Sequence, residues 1–291
     1  MARLKKITFL VSLFHLGALC GCSLNTLALR STAELLDRGV AAYYDEADPQ
    51  LARETMGSQL KFIEGLLQSD PKDPRLNRLV AEGFGGYTFL FIEDSQPERA
   101  KALYLRGRDY ALRSLGDRPG LAGLSAMLPD DLERALKNAD KSDAPALFWA
   151  AFCWSGFINL SKDSPEAVAE LPKAVALMIR SHELNPEYDF AGSDLFFGVY
   201  YASRPKLLGG DPEKAKEHFK WVERLTHGQY LMTYVLEAKT LAVALQDRAL
   251  FESLLAKVKD SPSGRLPKAR LADEVAKLKA AALLEKINDL F

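Results

Sequence analysis

Cys22 stands where a thiol can be turned into a lipid anchor. In Leu19-Cys20-Gly21-Cys22 an aliphatic residue lies three places before the cysteine and a small one just before it, which is the pattern of a lipobox. The chemistry needs a thiol because diacylglycerol is attached through a thioether, and acylation after cleavage then caps the new amino end. Acyl chains bury dozens of methylenes at about 0.8 kcal/mol each, and several chains go far beyond the single one that holds only marginally. Cys20 has Gly17 and Leu19 at the same two offsets and matches less well. The alternative is an ordinary secretory signal with incidental cysteines.

The other residues that could do chemistry lack the partners for it. Beyond the leader the histidines are His182, His218 and His227, none at a recognised metal-ligand spacing from another histidine or a carboxylate. No Gly-x-Ser-x-Gly elbow or P-loop occurs, and Cys153 sits in an apolar helical stretch, where it reads as a small buried hydrophobe. Gly83-Phe84-Gly85-Gly86 follows no strand and lacks a third glycine at the required place, so it reads as close helix packing or a pliable pore-lining segment. The acidic pairs Glu93-Asp94 and Asp130-Asp131 fall near expected helix ends, where carboxylates cap and favour the dipole. No enzyme, cofactor or metal is expected.

Arg3, Lys5 and Lys6 precede an apolar run from Ile7 to Leu19. That run is shorter than the ~20 residues a spanning helix needs and fits the ~7–15 residue core of a removable signal. The expected organisation is a cleaved leader over 1–21, a lipidated tether over 22–30 and a single all-helical domain over 31–291. Such a chain would be periplasmic and held at a membrane. Ser23 points to the outer membrane, since Asp there would favour the inner one, and a Gram-positive surface stays open.

Three of the 38 basic residues and none of the 39 acidic ones lie in the leader, leaving a formal charge of −4 on the rest. No basic block tracks a phosphate backbone, which excludes nucleic acid as the expected partner. From Thr32 to Leu245, and again from Leu266 to Leu290, apolar residues recur at steps of three and four. Proline follows Asp, Asn, Ser or Gln at Pro49, Pro71, Pro74, Pro97, Pro165, Pro186 and Pro212. There it suits a helix start, where its missing N–H costs nothing and the preceding side chain can cap. About a dozen helices and no sheet are expected.

A spacing recurs as well. Gly83 precedes Ala100 by seventeen positions and Gly198 precedes Ala215 by seventeen, with Tyr104 and Phe219 four further on. The pattern resembles the tetratricopeptide repeat, in which a small residue on helix A lets helix B approach, apart from the longer turn Arg204-Pro205-Lys206-Leu207-Leu208-Gly209-Gly210. Stacked hairpins of this kind make a curved solenoid with a concave binding face. On helix A that face would include Asn77, Phe84 and Tyr87 in one copy and Leu195, Val199 and Ala202, with Tyr200, in the other. Phe84 and Tyr87 are the stronger anchors, being aromatic. The segment Phe148–Leu160 is apolar all round and belongs at the centre. In it Trp149 and Trp154 point in different directions; both pack the core, or one lines a cavity, with Asn159, Ser161 and Lys162 able to orient a ligand.

Four stretches resemble the T component associated with TRAP transporters, a family of bacterial lipoproteins. They are Tyr87–Asp94 with Pro97–Leu115, Trp154–Asp163, Gly198–Pro205 with Leu208–Pro212, and Gln246-Asp247-Arg248 with Phe251, Leu254 and Leu255. The resemblance implies a tetratricopeptide-like fold that forms homo-oligomers and partners a periplasmic TRAP-type solute-binding protein. The pair would hand a small organic acid or apolar ligand towards a permease. An envelope-assembly scaffold that binds peptides or outer-membrane protein precursors is the alternative that helical repeats alone fit equally well.

Overall fold

In a computed structural model of the chain, residues 39–291 are described. The expected leader, Cys22, the expected tether over 22–30 and the first residues of the expected domain, 31–38, lie outside them. Contacts divide the chain into Met1–Ala42 and Tyr43–Phe291, and the second unit carries the fold.

That unit is all-α, with no strand among the described residues. Its main helices are α1 (Pro49–Leu67), α2 (Pro74–Tyr87), α3 (Pro97–Ser114), α4 (Pro129–Leu136), α5 (Ala144–Leu160), α6 (Leu171–Leu184), α7 (Tyr188–Ala202), α8 (Pro212–Leu225), α9 (Met232–Glu237), α10 (Arg248–Asp260) and α11 (Arg270–Glu285). Both α2 and α9 run on into a π-turn, Thr88–Ile92 and Ala238–Ala242. The capping logic holds at α1, α2 and α8. Asp48 accepts from the amides of Gln50 and Leu51, Asp73 from Leu76, and Asp211 from Glu213 and Lys214. Each cap satisfies amides that the first turn leaves without a partner. Pro71 and Pro186 lie instead in turns, and the helices after them begin at Pro74 and Tyr188.

The apolar α5 is central, packed by α2, α3 and α6. Trp149 and Trp154 are both buried, at 6% and 1% exposure. One apolar cluster gathers round α5, and a second joins α7 to α8, α9, α10 and α11. Residues 116–144 pack onto the rest of the fold: Leu121, Leu124, Leu132 and Leu136 are buried in the first cluster, and Arg118 bonds both Asp140 and Asp143. The last long helix returns to the first, with α11 packed on α1.

The repeated spacing has different meanings in its two copies. A Cβ on Gly198 would stand 3.0 Å from the Phe219 ring, so here glycine does let α8 approach α7. In the first copy Gly83 faces Leu60 of α1, while Tyr104 of α3 lies against Gly156 of α5. Ala100 and Ala215 are fully buried in both.

Candidate functional site

Helices α1, α2 and α3 enclose a groove of about 580 Å³. Its lining comes from Glu54, Gly57, Ser58, Leu60 and Lys61 of α1, Phe84 and Tyr87 of α2, and Arg99, Leu103 and Arg106 of α3. The steps 99, 103, 106 put those three side chains on one face of α3, a signal that could have found them although none of the three is among the site residues expected from the sequence. Phe84 and Tyr87, both buried, supply an aromatic floor. Lys61, Arg99 and Arg106 supply a cationic rim.

The floor is held by neighbouring side chains. Phe84 stacks on Tyr110 with centroids 6.1 Å apart and planes within 5°, and the Arg106 guanidinium sits 4.8 Å from its ring centre. Both of those neighbours converge on Glu64, which accepts from Tyr110 Oη at 2.8 Å and pairs with Arg106 and with Lys61 at 2.8 Å. Burial works to raise the Glu64 carboxyl, yet the hydrogen bonds from Lys61, Tyr110 and Arg106 hold it below the usual range. Glu64 thus offsets one of the two rim charges nearest the floor, those of Lys61 and Arg106. Arg99 is exposed and donates to the neutral Gln96 at 3.2 Å. With Glu54 also on the lining, Lys61, Arg99 and Arg106 against Glu54 and Glu64 leave one positive charge beside the aromatic floor, which suits an acidic group carried on an apolar body.

The remaining expected site residues lie elsewhere. Asn77 is fully buried and donates its amide to the carbonyls of Pro71 and Asp73, at 3.0 and 2.8 Å, so it secures the start of α2. Trp154 packs inside the α3–α5 contact, with Arg108 5.1 Å from its ring centre. Asn159 is exposed at the end of α5. Of the five, the structure brings together Phe84 and Tyr87. Trp149 donates its indole N–H to Tyr188 Oη at 2.9 Å.

Two further constellations arise from folding alone. Asp194 is buried and faces both His218 Nδ1, at 2.7 Å, and His182 Nδ1, at 3.5 Å, while His182 also bonds Ser193 at 2.9 Å. Sequence spacing shows no carboxylate for these histidines, and helix packing supplies one. No group of three or more potential ligands able to hold a metal occurs among the described residues. The second constellation begins α7, where Asp189, Phe190 and Ala191 all adopt left-handed backbone, at φ 51, 58 and 56°. Each such residue costs roughly 1–2 kcal/mol. Phe190 is fixed by Tyr230, with ring centres 4.7 Å apart. Burial, with Glu82 nearby, pushes the Asp189 carboxyl up to about 7.

The acidic pair Glu93-Asp94 does not cap a helix. It follows the π-turn of α2, at the end a dipole disfavours for acids, and reaches Lys239 and Lys279 instead. Asp130 and Asp131 do lie in the first turn of α4.

A family model described as TRAP transporter T-component matches residues 45–291. The chain is also similar to an uncharacterized protein of Treponema pallidum (strain Nichols), 25% identical over 302 residues and covering 93% of each chain.

Proposed function

The chain belongs to the TRAP transporter T-component family, and from that premise we propose that it is the adaptor of a TRAP-type solute-uptake system. In this reading it is a periplasmic lipoprotein, anchored through Cys22, that docks a TRAP-type solute-binding protein and conveys a small organic acid or apolar ligand. The observation that carries it is the span of the family match, which takes in every long helix of the fold. The groove floored by Phe84 and Tyr87 is the candidate contact. An anchor raises the local concentration of such a scaffold at the membrane, so a modest affinity for a soluble partner suffices.

The test is capture of periplasmic proteins on the immobilised chain, followed by direct titration of each TRAP-type solute-binding protein recovered. Saturable binding that Arg99→Glu weakens supports the adaptor. Recovery of outer-membrane precursors or assembly factors alone would replace it with an envelope-assembly scaffold.

A further inference from the structure

The turn between α7 and α8 displays leucine to solvent. Leu207 is 98% exposed, more than any other large apolar side chain among the described residues, and Leu208 beside it is 62% exposed. This display is built rather than slack. Leu208 and Gly210 both donate backbone N–H to the Pro205 carbonyl, at 2.8 and 3.1 Å, and Asp211 N–H reaches the Tyr201 carbonyl at 3.0 Å. Arg204 Nε closes the turn on the Leu208 carbonyl at 3.0 Å. A Cβ on Gly210 would stand 1.8 Å from the Arg204 carbonyl oxygen, so glycine is required there.

The Arg204 guanidinium lies 4.7 Å from the centre of the Tyr200 ring, and Tyr200 stacks on Phe196 at 6.1 Å. Arg204 thus bridges the Leu208 carbonyl and the Tyr200 ring. Residues 203–210 contain Arg204 and Lys206 and no acid.

We propose that this turn is a lipid-contacting tip, in which Leu207 and Leu208 enter the acyl boundary of a bilayer while Lys206 and Arg204 meet anionic headgroups. Charge complementarity and residue type both favour a bilayer over a protein surface. Basic residues beside a membrane are drawn to anionic lipid, and tyrosine with lysine or arginine marks the headgroup level. Leucine, by contrast, is under-represented among the residues that carry binding energy between proteins. No helix among the described residues is long and apolar enough to cross a membrane, so the contact is peripheral.

The test reconstitutes the full chain carrying Leu207→Trp into vesicles of equimolar phosphatidylethanolamine and phosphatidylglycerol, and compares its fluorescence with that of the unsubstituted chain. The expected result is extra emission that is shifted to the blue and lost when the acyl chains are brominated, with less loss on adding Lys206→Glu. Extra emission that stays at the wavelength of water-exposed tryptophan overturns the proposal. So does a blue shift that bromination does not quench and that grows with protein concentration, since a second protein surface would then cover the tip. Equal quenching in neutral phosphatidylcholine vesicles overturns the part assigned to Lys206 and Arg204. The readout needs no solute-binding protein, so its failure leaves the adaptor reading untouched.

Discussion

Lys279 of α11 pairs with Asp94, 185 positions earlier, just beyond the π-turn of α2. Glu93 lies 3.9 Å from the same ammonium and accepts from Tyr104 Oη at 2.6 Å, while Lys239 reaches Asp94 at 3.1 Å. Burial pushes the Glu93 carboxyl up against the pull of Lys279 and Lys239. Asp94, although burial opposes its charge, is held below the usual range by the same two lysines.

Lys279→Ala should therefore destabilise the fold by about 1–3 kcal/mol. That is less than the cost of breaking a fully buried pair, because Asp94 is half exposed and Lys239 remains. In a domain of this size each kcal/mol lowers the melting temperature by roughly 2–4 °C. Calorimetry that finds an unchanged midpoint would show that the two ends of the fold are held by apolar packing alone.

Gly198→Ala should cost about 1 kcal/mol. The ~1 kcal/mol that alanine gains over glycine in a helix is outweighed by overpacking against the Phe219 ring, which costs ~1–3 kcal/mol. In a Phe219→Leu background the same change should become neutral or stabilising, because the space is then open. A double-mutant cycle in urea checks the coupling, and an additive result would mean that the α7–α8 contact does not depend on that close approach.

Asp189 predicts a pH dependence. Its carboxyl titrates at about 7 in the folded chain against an ordinary value of 3.8. The folded state thus binds the proton more tightly, and this group makes stability fall as pH rises from about 4 to about 7, then level. Asp189→Asn should flatten that slope and stabilise the chain above pH 7 by roughly 2–4 kcal/mol, since asparagine also tolerates left-handed backbone. Equal unfolding midpoints for the two chains at pH 8 would refute it.

At the groove, Tyr87→Ala should weaken solute-binding-protein affinity by about 2 kcal/mol if Tyr87 is an aromatic anchor. Arg99→Glu should chiefly slow association and reduce its salt dependence, as rim charges do. Arg99 is exposed, so its substitution should leave stability within about 0.5 kcal/mol. Surface plasmon resonance at two salt concentrations separates these effects, and unchanged rates for both variants would move the interface to another face.

Local patterns in the chain were enough for the all-helical class, because three- and four-residue periodicity and proline after a capping side chain act within a few residues. The same locality singles out Phe84 and Tyr87 on one helix, whereas Arg99, Leu103 and Arg106 are passed over in the sequence although their spacing also lies on one helix face. Other relationships had no local signal. The identical Gly-to-Ala spacing meets Phe219 in one copy and Leu60 in the other, because the neighbouring helix, and not the repeat, decides what fills the gap. Asp194 faces histidines twelve residues before it and twenty-four after it. Glu93 and Asp94 turn from a helix end to lysines on distant helices. Each of these depends on which helices pack together, and that is settled by burial summed over the whole chain, which no window of neighbouring residues contains.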